Sequence, residues 1–256
     1  MISFRKYEGA GNDFILIDDR KNTFPMDDHS MVERMCDRHF GIGADGLMLL
    51  QLVHGYDFRM VYFNSDGKPA SMCGNGGRCI TLFAKDLGLI NHKANFLAVD
   101  GAHQAVIISD NEVSLQMGDV DGVEFLDEQT VYLHTGSPHV IKRVEAFDQV
   151  DVVVDGRKIR NSERFKKEGV NVNFVVFKNG VMQIRTYERG VENETLACGT
   201  GITAAAIASD YWGIAKGEVN MKAVGGNLTV RFEKKNGHYK NIWKTGPATF
   251  VFEGSY

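Results

Sequence analysis

The sequence predicts an α+β protein built from two pseudo-symmetric, strand-rich domains, each a sheet wrapped around one central buried helix. Three observations carry this. An ungapped shift of 125 positions lays the second half of the chain on the first. Each half holds one helical stretch that is apolar on nearly every side, the mark of a buried helix. The remainder reads as short strands separated by turn residues.

Under that shift Cys73 falls on Cys198, Gly74 on Gly199, Gly76 on Gly201 and Gly88 on Gly213. Asn95 falls on Asn220, Ala98 on Ala223, Val99 on Val224 and Gly101 on Gly226. These are eight identities in the 29 positions from Cys73 to Gly101, where unrelated chains give roughly two on average residue usage. Tyr7 and Tyr132, Gly11 and Gly136, and Tyr62 and Tyr187 pair at the same offset. A period of half the chain marks duplication of a domain, since solenoid repeats run about 20–50 residues. The domains are therefore expected at 1–117 and 118–246, with 247–256 returning to the first.

In chain order, strands are expected at Ser3–Tyr7 and Phe14–Asp18, then an amphipathic helix over Asp28–His39 with Met31 and Met35 on its apolar face. Strands at Leu47–Val53 and Phe58–Asn64 lead to the buried helix Gly74–Leu87, which stops at Gly88, a residue suited to the left-handed position after a helix. Strands follow at Asn95–Val99, Gln104–Ser109, Glu112–Gln116, Val131–His134 and His139–Val144. Asn179-Gly180 joins Asn171–Lys178 to Val181–Tyr187 as a two-residue hairpin. The second buried helix, Gly199–Trp212, stops at Gly213, and Asn236-Gly237 links Leu228–Lys234 to a strand through Trp243. A last strand is expected at Ala248–Glu253.

Composition narrows the function. With 43% hydrophobic and 24% charged residues over 256 positions, the chain folds. A net charge of −4 offers no basic footprint for nucleic acid or an anionic membrane. The first residues carry no apolar signal-peptide run, and no stretch approaches the roughly 18 apolar residues of a membrane helix, so a cytoplasmic location is expected. Thiols stay reduced there, which leaves Cys36, Cys73, Cys79 and Cys198 as buried residues, metal ligands or reactive groups.

The duplication preserves Cys-Gly-x-Gly at the mouth of each buried helix: Cys73-Gly-Asn-Gly and Cys198-Gly-Thr-Gly. A cysteine there faces unpaired N–H groups and the positive helix end, which favour the thiolate and can bring its pKa from about 8.5 toward about 3.5–7.5. Glycines let the backbone approach a ligand closely, and free N–H groups suit a carboxylate. A small buried cysteine at a tight turn is the plainer reading of either motif alone. If both mouths open on one interdomain cleft, a carboxylate would rest on both sets of amides with a sulfur on either side. One sulfur could then remove the adjacent proton while the other returns one, inverting the carbon with no cofactor.

Other candidates carry less. Cys36-Asp-Arg-His39 and the Cys73/Cys79 pair lack zinc spacing, so no metal is expected. Cys36 and Cys79 read as packing. Gly41-Ile-Gly-Ala-Asp-Gly46 resembles a dinucleotide loop but lacks the strand before it and the helix after it. Arg189 in Tyr187-Glu-Arg-Gly190 is either a surface ion-pair partner or a fork for a second ligand carboxylate.

The chain resembles the diaminopimelate epimerase family in Gly9-Ala-Gly-Asn-Asp-Phe-Ile15, Gly41-Ile-Gly-Ala-Asp-Gly46, Phe63-Asn-Ser-Asp-Gly67, Met72-Cys-Gly-Asn-Gly-Gly-Arg-Cys79, Tyr187-Glu-Arg-Gly190, Ala197-Cys-Gly-Thr-Gly201 and Thr245-Gly-Pro-Ala248. The resemblance spans essentially the full chain. It implies cofactor-independent interconversion of LL- and meso-2,6-diaminopimelate in lysine and peptidoglycan-precursor synthesis, with Cys73 and Cys198 as the catalytic thiols. It implies Gly74, Asn75, Gly199 and Thr200 around the reacting carboxylate, and Asn12, Asn64, Asn171 and Arg189 as further substrate-binding residues, the last three at the distal end. Glu188 and His139 would flank the reaction centre, and the family commonly forms a homodimer.

Three departures concern distal recognition. Ser137-Pro-His139 replaces the family's Asn-Pro-His, Gly46 stands where many members carry a substrate-contacting Gln, and Gly190–Ala197 is one residue longer than the common form. A proline or hydroxyproline racemase shares the fold and paired thiols, but its one-carboxylate substrate gives a distal Arg no purpose. A non-catalytic amino-acid-binding protein has no need of two thiols, and phenazine-pathway isomerases of this fold lack the cysteine pair.

Overall fold

A computed structural model describes all 256 residues, Met1–Tyr256. The chain forms two compact units, one comprising Met1–Leu115 and Gly246–Tyr256, the other Gln116–Thr245.

In the first unit β1 (Ser3–Gly9) and β2 (Asn12–Asp18) form an antiparallel hairpin. Its turn is Ala10-Gly11, both at positive φ (55° and 84°). Helix α1 (His29–Cys36) carries the chain to β3 (Gly46–Gln51), parallel to β2, and β4 (Phe58–Asn64) returns antiparallel. Helix α2 (Gly74–Asp86) crosses over to β5 (Lys93–Ala98), parallel to β4, and β6 (Gly101–Ser109) and β7 (Glu112–Gln116) complete a meander.

The second unit repeats the plan. Strands β8 (Glu124–Asp127), β9 (Thr130–His134) and β10 (Pro138–Arg143) pair antiparallel. Helix α3 (Val152–Arg160) leads to β11 (Asn171–Lys178), parallel to β10, and β12 (Val181–Glu188) returns antiparallel with the short β13 (Asn193–Thr195) on it. Helix α4 (Gly199–Tyr211) crosses to β14 (Glu218–Ala223), parallel to β12, followed by β15 (Gly226–Lys235) and β16 (His238–Pro247). The last strand, β17 (Thr249–Ser255), lies antiparallel on β1 in the first unit.

The duplication is exact in register where the helices sit. Helices α2 and α4, each of 13 residues, start and stop at the same offset of 125, as do β5 and β14. The pairs Phe14/Gly46 and His139/Asn171 occupy equivalent rungs. The expectation of a buried central helix holds in both units: every residue from Asn75 to Ala84 of α2 and from Gly201 to Ser209 of α4 is buried.

Each sheet is covered on its other face by a smaller helix. Val32, Met35 and Cys36 of α1 pack with Ile15, Ile17, Leu47 and Leu49, while Val152 of α3 packs with Val140, Val172, Phe174 and Tyr187. Two expectations need correction here. Helix α1 ends at Cys36 rather than His39, because Asp37 is extended and its carboxylate takes the N–H groups of His39 and Phe40. Helix α3 was not expected, since Val152-Val153-Val154 reads as strand and Gly156 as a breaker. Asp151 caps it at the N–H groups of Val153 and Val154, and Gly156 is required by close packing: a Cβ there would lie 2.5 Å from Tyr187 Cβ. Strands β8, β13 and β14 also lay outside the expected set. No helix is long and apolar enough to cross a membrane.

Candidate active site

Cys73 is the N-cap residue of α2, in extended backbone (φ −105°, ψ 123°), and its side chain makes no capping bond. The carbonyl of Cys73 accepts the first helical bond, from Gly77 N–H at 2.7 Å. The N–H groups before it have no partner inside the helix and point out of its mouth beside a half-buried sulfur. Cys198 holds the same place on α4 (φ −92°, ψ 111°), again without a capping bond, and is buried.

Around the first mouth, Asn75 is buried and donates to Asn12 Oδ1 at 2.8 Å. Asn12 in turn donates to Asp45 Oδ2 at 2.7 Å. Arg38 bridges Asp45 to Asp13, which also pairs with the buried Lys6 at 2.8 Å. Burial works against the charge on Asp13, but hydrogen bonds from Arg38 and Lys6 outweigh it and hold the carboxyl well below its usual range. Behind Asn75, fully buried Arg78 donates to Asn75 Oδ1 at 3.0 Å and to the carbonyls of Gly74 and Pro247. Asn64, at the end of β4 opposite Gly46, is exposed, and no protein hydrogen bond occupies its side chain.

The second mouth is polar and closely wired. Thr200 Oγ1 lies 3.6 Å from Cys198 Sγ, 2.9 Å from His139 Nε2 and 3.0 Å from Ser137 Oγ. Asn171 donates to Ser137 Oγ at 3.3 Å and accepts the N–H of Arg189 at 2.9 Å. Arg189 is exposed, with one guanidinium nitrogen on the Glu168 carbonyl. Glu188 accepts from Thr195 at 2.7 Å. Gly201 permits this arrangement: a Cβ on it would lie 2.5 Å from Asn173 Oδ1, so only glycine lets α4 press against the polar pair beneath it.

Burial dominates the electrostatics of the second mouth. Burial, then the nearby charge of Glu188, push the Cys198 thiol up to about 11, and the Thr200 hydroxyl offsets only part of this. The expectation that a helix mouth lowers the thiol pKa is therefore corrected at Cys198, where desolvation outweighs the dipole. Burial also raises Glu188 above the usual carboxylate range, with the Thr195 hydrogen bond working the other way. It drives His139 down to about 3, so that imidazole is neutral. Cys36, raised to about 12 by burial, and the buried Cys79 are packing residues, as expected.

Thus Asn12, Gly74 and Asn75 surround the first mouth, and His139, Asn171, Glu188, Arg189, Gly199 and Thr200 are gathered near the second. Sequence reasoning missed Arg78, Asp45 and Asn173. The last had a signal: Asn171 and Asn173 alternate along one face of an otherwise apolar buried strand, where polar side chains need partners. The Gly41–Ala44 segment is no dinucleotide loop, since its N–H groups close the end of α1 on the carbonyls of Met35, Cys36 and Asp37.

Comparison with known proteins follows the two halves. Residues 4–123 and 131–251 match the family model described as diaminopimelate epimerase. The chain is 48% identical to the diaminopimelate epimerase of Flavobacterium psychrophilum over 97% of each chain. It is 42% identical to that of Chlorobaculum tepidum, over 96% of this chain and 98% of the relative. Among solved structures, a Bacillus anthracis phenazine biosynthesis protein of the PhzF family aligns with a TM-score of 0.72 at 16% identity, covering 99% of this chain and 98% of that one. A probable proline racemase from Agrobacterium radiobacter aligns at 0.68 and 14%, covering 100% and 93%. At such identities these two speak to the fold alone.

Proposed function

This chain belongs to the diaminopimelate epimerase family, and we propose that Cys73 and Cys198 are the acid and base with which it interconverts LL- and meso-2,6-diaminopimelate. The observation that carries this reading is the repeated one: a cysteine at the N-cap of each buried helix, its sulfur not spent on capping.

The reaction breaks one C–H bond and remakes it from the opposite side. A thiolate takes the α-proton, and the electron pair left on carbon spreads into the adjacent carboxylate as an enolate. The other sulfur gives its proton to the far face, so thiol and thiolate exchange roles and the carbon is inverted. The reading requires the two sulfurs to take opposite faces of one α-carbon. Helix-mouth N–H groups at Gly74, Asn75, Gly199 and Thr200 stabilise the charge that grows on the carboxylate, where preorganised donors are worth most. Glu188 and His139 flank the reacting centre. No metal, nucleotide or carbonyl cofactor enters these steps.

The exposed guanidinium of Arg189, with Asn171 on its backbone N–H, suits a second carboxylate at the distal end. This favours the longer dicarboxylic substrate over proline. The reading extends to a cytoplasmic homodimer that engages neither nucleic acid nor membrane.

The test uses reduced protein in deuterated water. Expected is exchange of the α-hydrogen of diaminopimelate together with LL–meso interconversion, both abolished in Cys73→Ala and in Cys198→Ala while the far-ultraviolet dichroism is kept. Turnover of proline without exchange on any diaminopimelate isomer would overturn the assignment of substrate, and full activity in either variant that of mechanism.

A further inference from the structure

Building on the reading of Cys198 as a catalytic thiol, we propose that Ser137 and His139 are positioning residues that fix the Thr200 hydroxyl as a hydrogen-bond donor to the Cys198 sulfur. Donors and acceptors, followed from the interior outward, direct each hydrogen in turn.

Asn173 is buried and its amide has one possible orientation. Nδ2 lies 3.1 Å from the carbonyl of Val140, which can only accept, and Oδ1 takes the Thr186 hydroxyl at 2.8 Å. The second Nδ2 hydrogen therefore points at His139 Nδ1, 3.1 Å away. His139 is buried and neutral, so Nδ1 accepts and the single ring hydrogen sits on Nε2. Nε2 is 2.9 Å from both Ser137 Oγ and Thr200 Oγ1.

Asn171 is oriented in the same way. Its Oδ1 accepts the backbone N–H of Arg189, so its Nδ2 donates to Ser137 Oγ. With the single Nε2 hydrogen directed to Ser137 Oγ, that oxygen receives hydrogens from Asn171 and His139, which uses both lone pairs, and its own hydrogen goes to Thr200 Oγ1 at 3.0 Å. Thr200 Oγ1, which accepts from Ser137, is left with one hydrogen to give, and it gives it to Cys198 Sγ at 3.6 Å.

Every bond in the chain thus runs toward the sulfur. This has a chemical consequence for a thiol that must become a thiolate inside a buried site each time it gives its proton to the substrate carbon. A fixed donor is waiting for the charge when it forms. Neutral His139 has no free lone pair facing this chain, so it orients the relay and does not take the Cys198 proton through Thr200. The charged groups acting on Cys198 are Glu188 of β12, which opposes the thiolate, and Lys244 of β16, which favours it; His134 and Arg189 act on His139.

Two measurements without substrate test the proposal. In the wild-type protein, long-range proton–nitrogen correlation spectra of the imidazole of His139 are expected to show a bare Nδ1 and a protonated Nε2, unchanged between pH 6 and 9, a span in which an ordinary imidazole of pKa about 6.5 changes its charge. Carbamidomethylation of Cys198, followed by peptide mass spectrometry at about pH 8.5, is expected to slow about tenfold in Thr200→Val, the worth of one hydrogen bond to a charged atom. The rate should recover in Thr200→Ser and fall by a smaller factor in Ser137→Ala. A protonated Nδ1 on His139, or equal Cys198 rates in wild type and Thr200→Val, would overturn the relay. Both readouts are independent of turnover, so a failure of the epimerase assay would strike the functional reading and leave these results to be judged separately.

Discussion

Arg78 donates to Asn75 Oδ1 at 3.0 Å from a position with no solvent exposure. Its remaining acceptors are the carbonyls of Pro247 and Gly74, so no carboxylate answers its charge by hydrogen bond. Burial accordingly lowers its pKa. The guanidinium ties the segment entering β17 to the mouth of α2 and holds the amide that faces Asn12. Arg78→Ala takes the guanidinium away from three acceptors and opens a cavity, and is expected to cost about 3 kcal/mol or more in urea unfolding. Arg78→Met fills most of the space and removes the buried charge, so it should cost less. A loss below about 1 kcal/mol for the alanine variant would contradict this role.

Asn12 is held from both ends, accepting from Asn75 and donating to Asp45 at 2.7 Å. Asp45→Ala frees the Asn12 amide from its charge-assisted partner while leaving the helix mouth itself intact. A lost bond of that kind is worth about 1.5–3 kcal/mol. Epimerase kcat/KM should therefore fall roughly ten- to hundredfold, with most of the loss in KM. An unchanged KM would show that Asp45 serves only the ion-pair network of Arg38, Asp13 and Lys6.

Two groups make the fold acid-sensitive, in separate windows. His139 is buried neutral, with a folded pKa of about 3 against an ordinary 6.5. The unfolded chain gains a proton there as pH falls below about 6.5 and the folded one does not, so stability drops between roughly pH 6.5 and 3, by at most about 5 kcal/mol. Asp13 has a depressed folded pKa, so its contribution is full above the usual carboxylate value of 3.8 and is lost as pH falls below it. Urea midpoints should decline from neutrality to pH 4 in wild type and in Asp13→Asn alike. His139→Gln should decline less over that range, and an equal slope would refute the assignment to His139.

The helix mouths were legible in the sequence because capping is local: Cys-Gly-x-Gly, an apolar run and a terminal glycine lie within one stretch of chain. The relay at Thr200 was not, because it depends on the parallel rung that sets His139 beside Asn171 and on the close approach at Gly201. Gly46 shows the same limit. As a departure from the family it suggested a lost substrate contact, yet its neighbours leave no room for a side chain. A Cβ there would lie 2.5 Å from the Tyr62 ring and 2.6 Å from the Phe63 carbonyl. Gly46→Gln is therefore expected to destabilise the protein by about 2 kcal/mol or more without lowering KM, and a tighter KM with unchanged stability would contradict the packing.

The four cysteines should separate by reactivity. Cys36 and Cys79 are buried in α1 and α2 with thiols raised by burial. Cys198 is 7% exposed and raised to about 11, so about one molecule in ten thousand carries its thiolate at pH 7. Cys73 is half-buried at its helix mouth, with its sulfur unspent. Alkylation by iodoacetamide at neutral pH requires both access and thiolate. Cys73, the more accessible, is therefore expected to react first, and Cys198, buried and with its thiol raised, more slowly. Peptide mass spectrometry over a time course would show this directly. Equal rates at Cys73 and Cys198 would mean that the burial acting on Cys198 does not govern its chemistry, and that the two halves, alike in fold, hold their thiols in equivalent states.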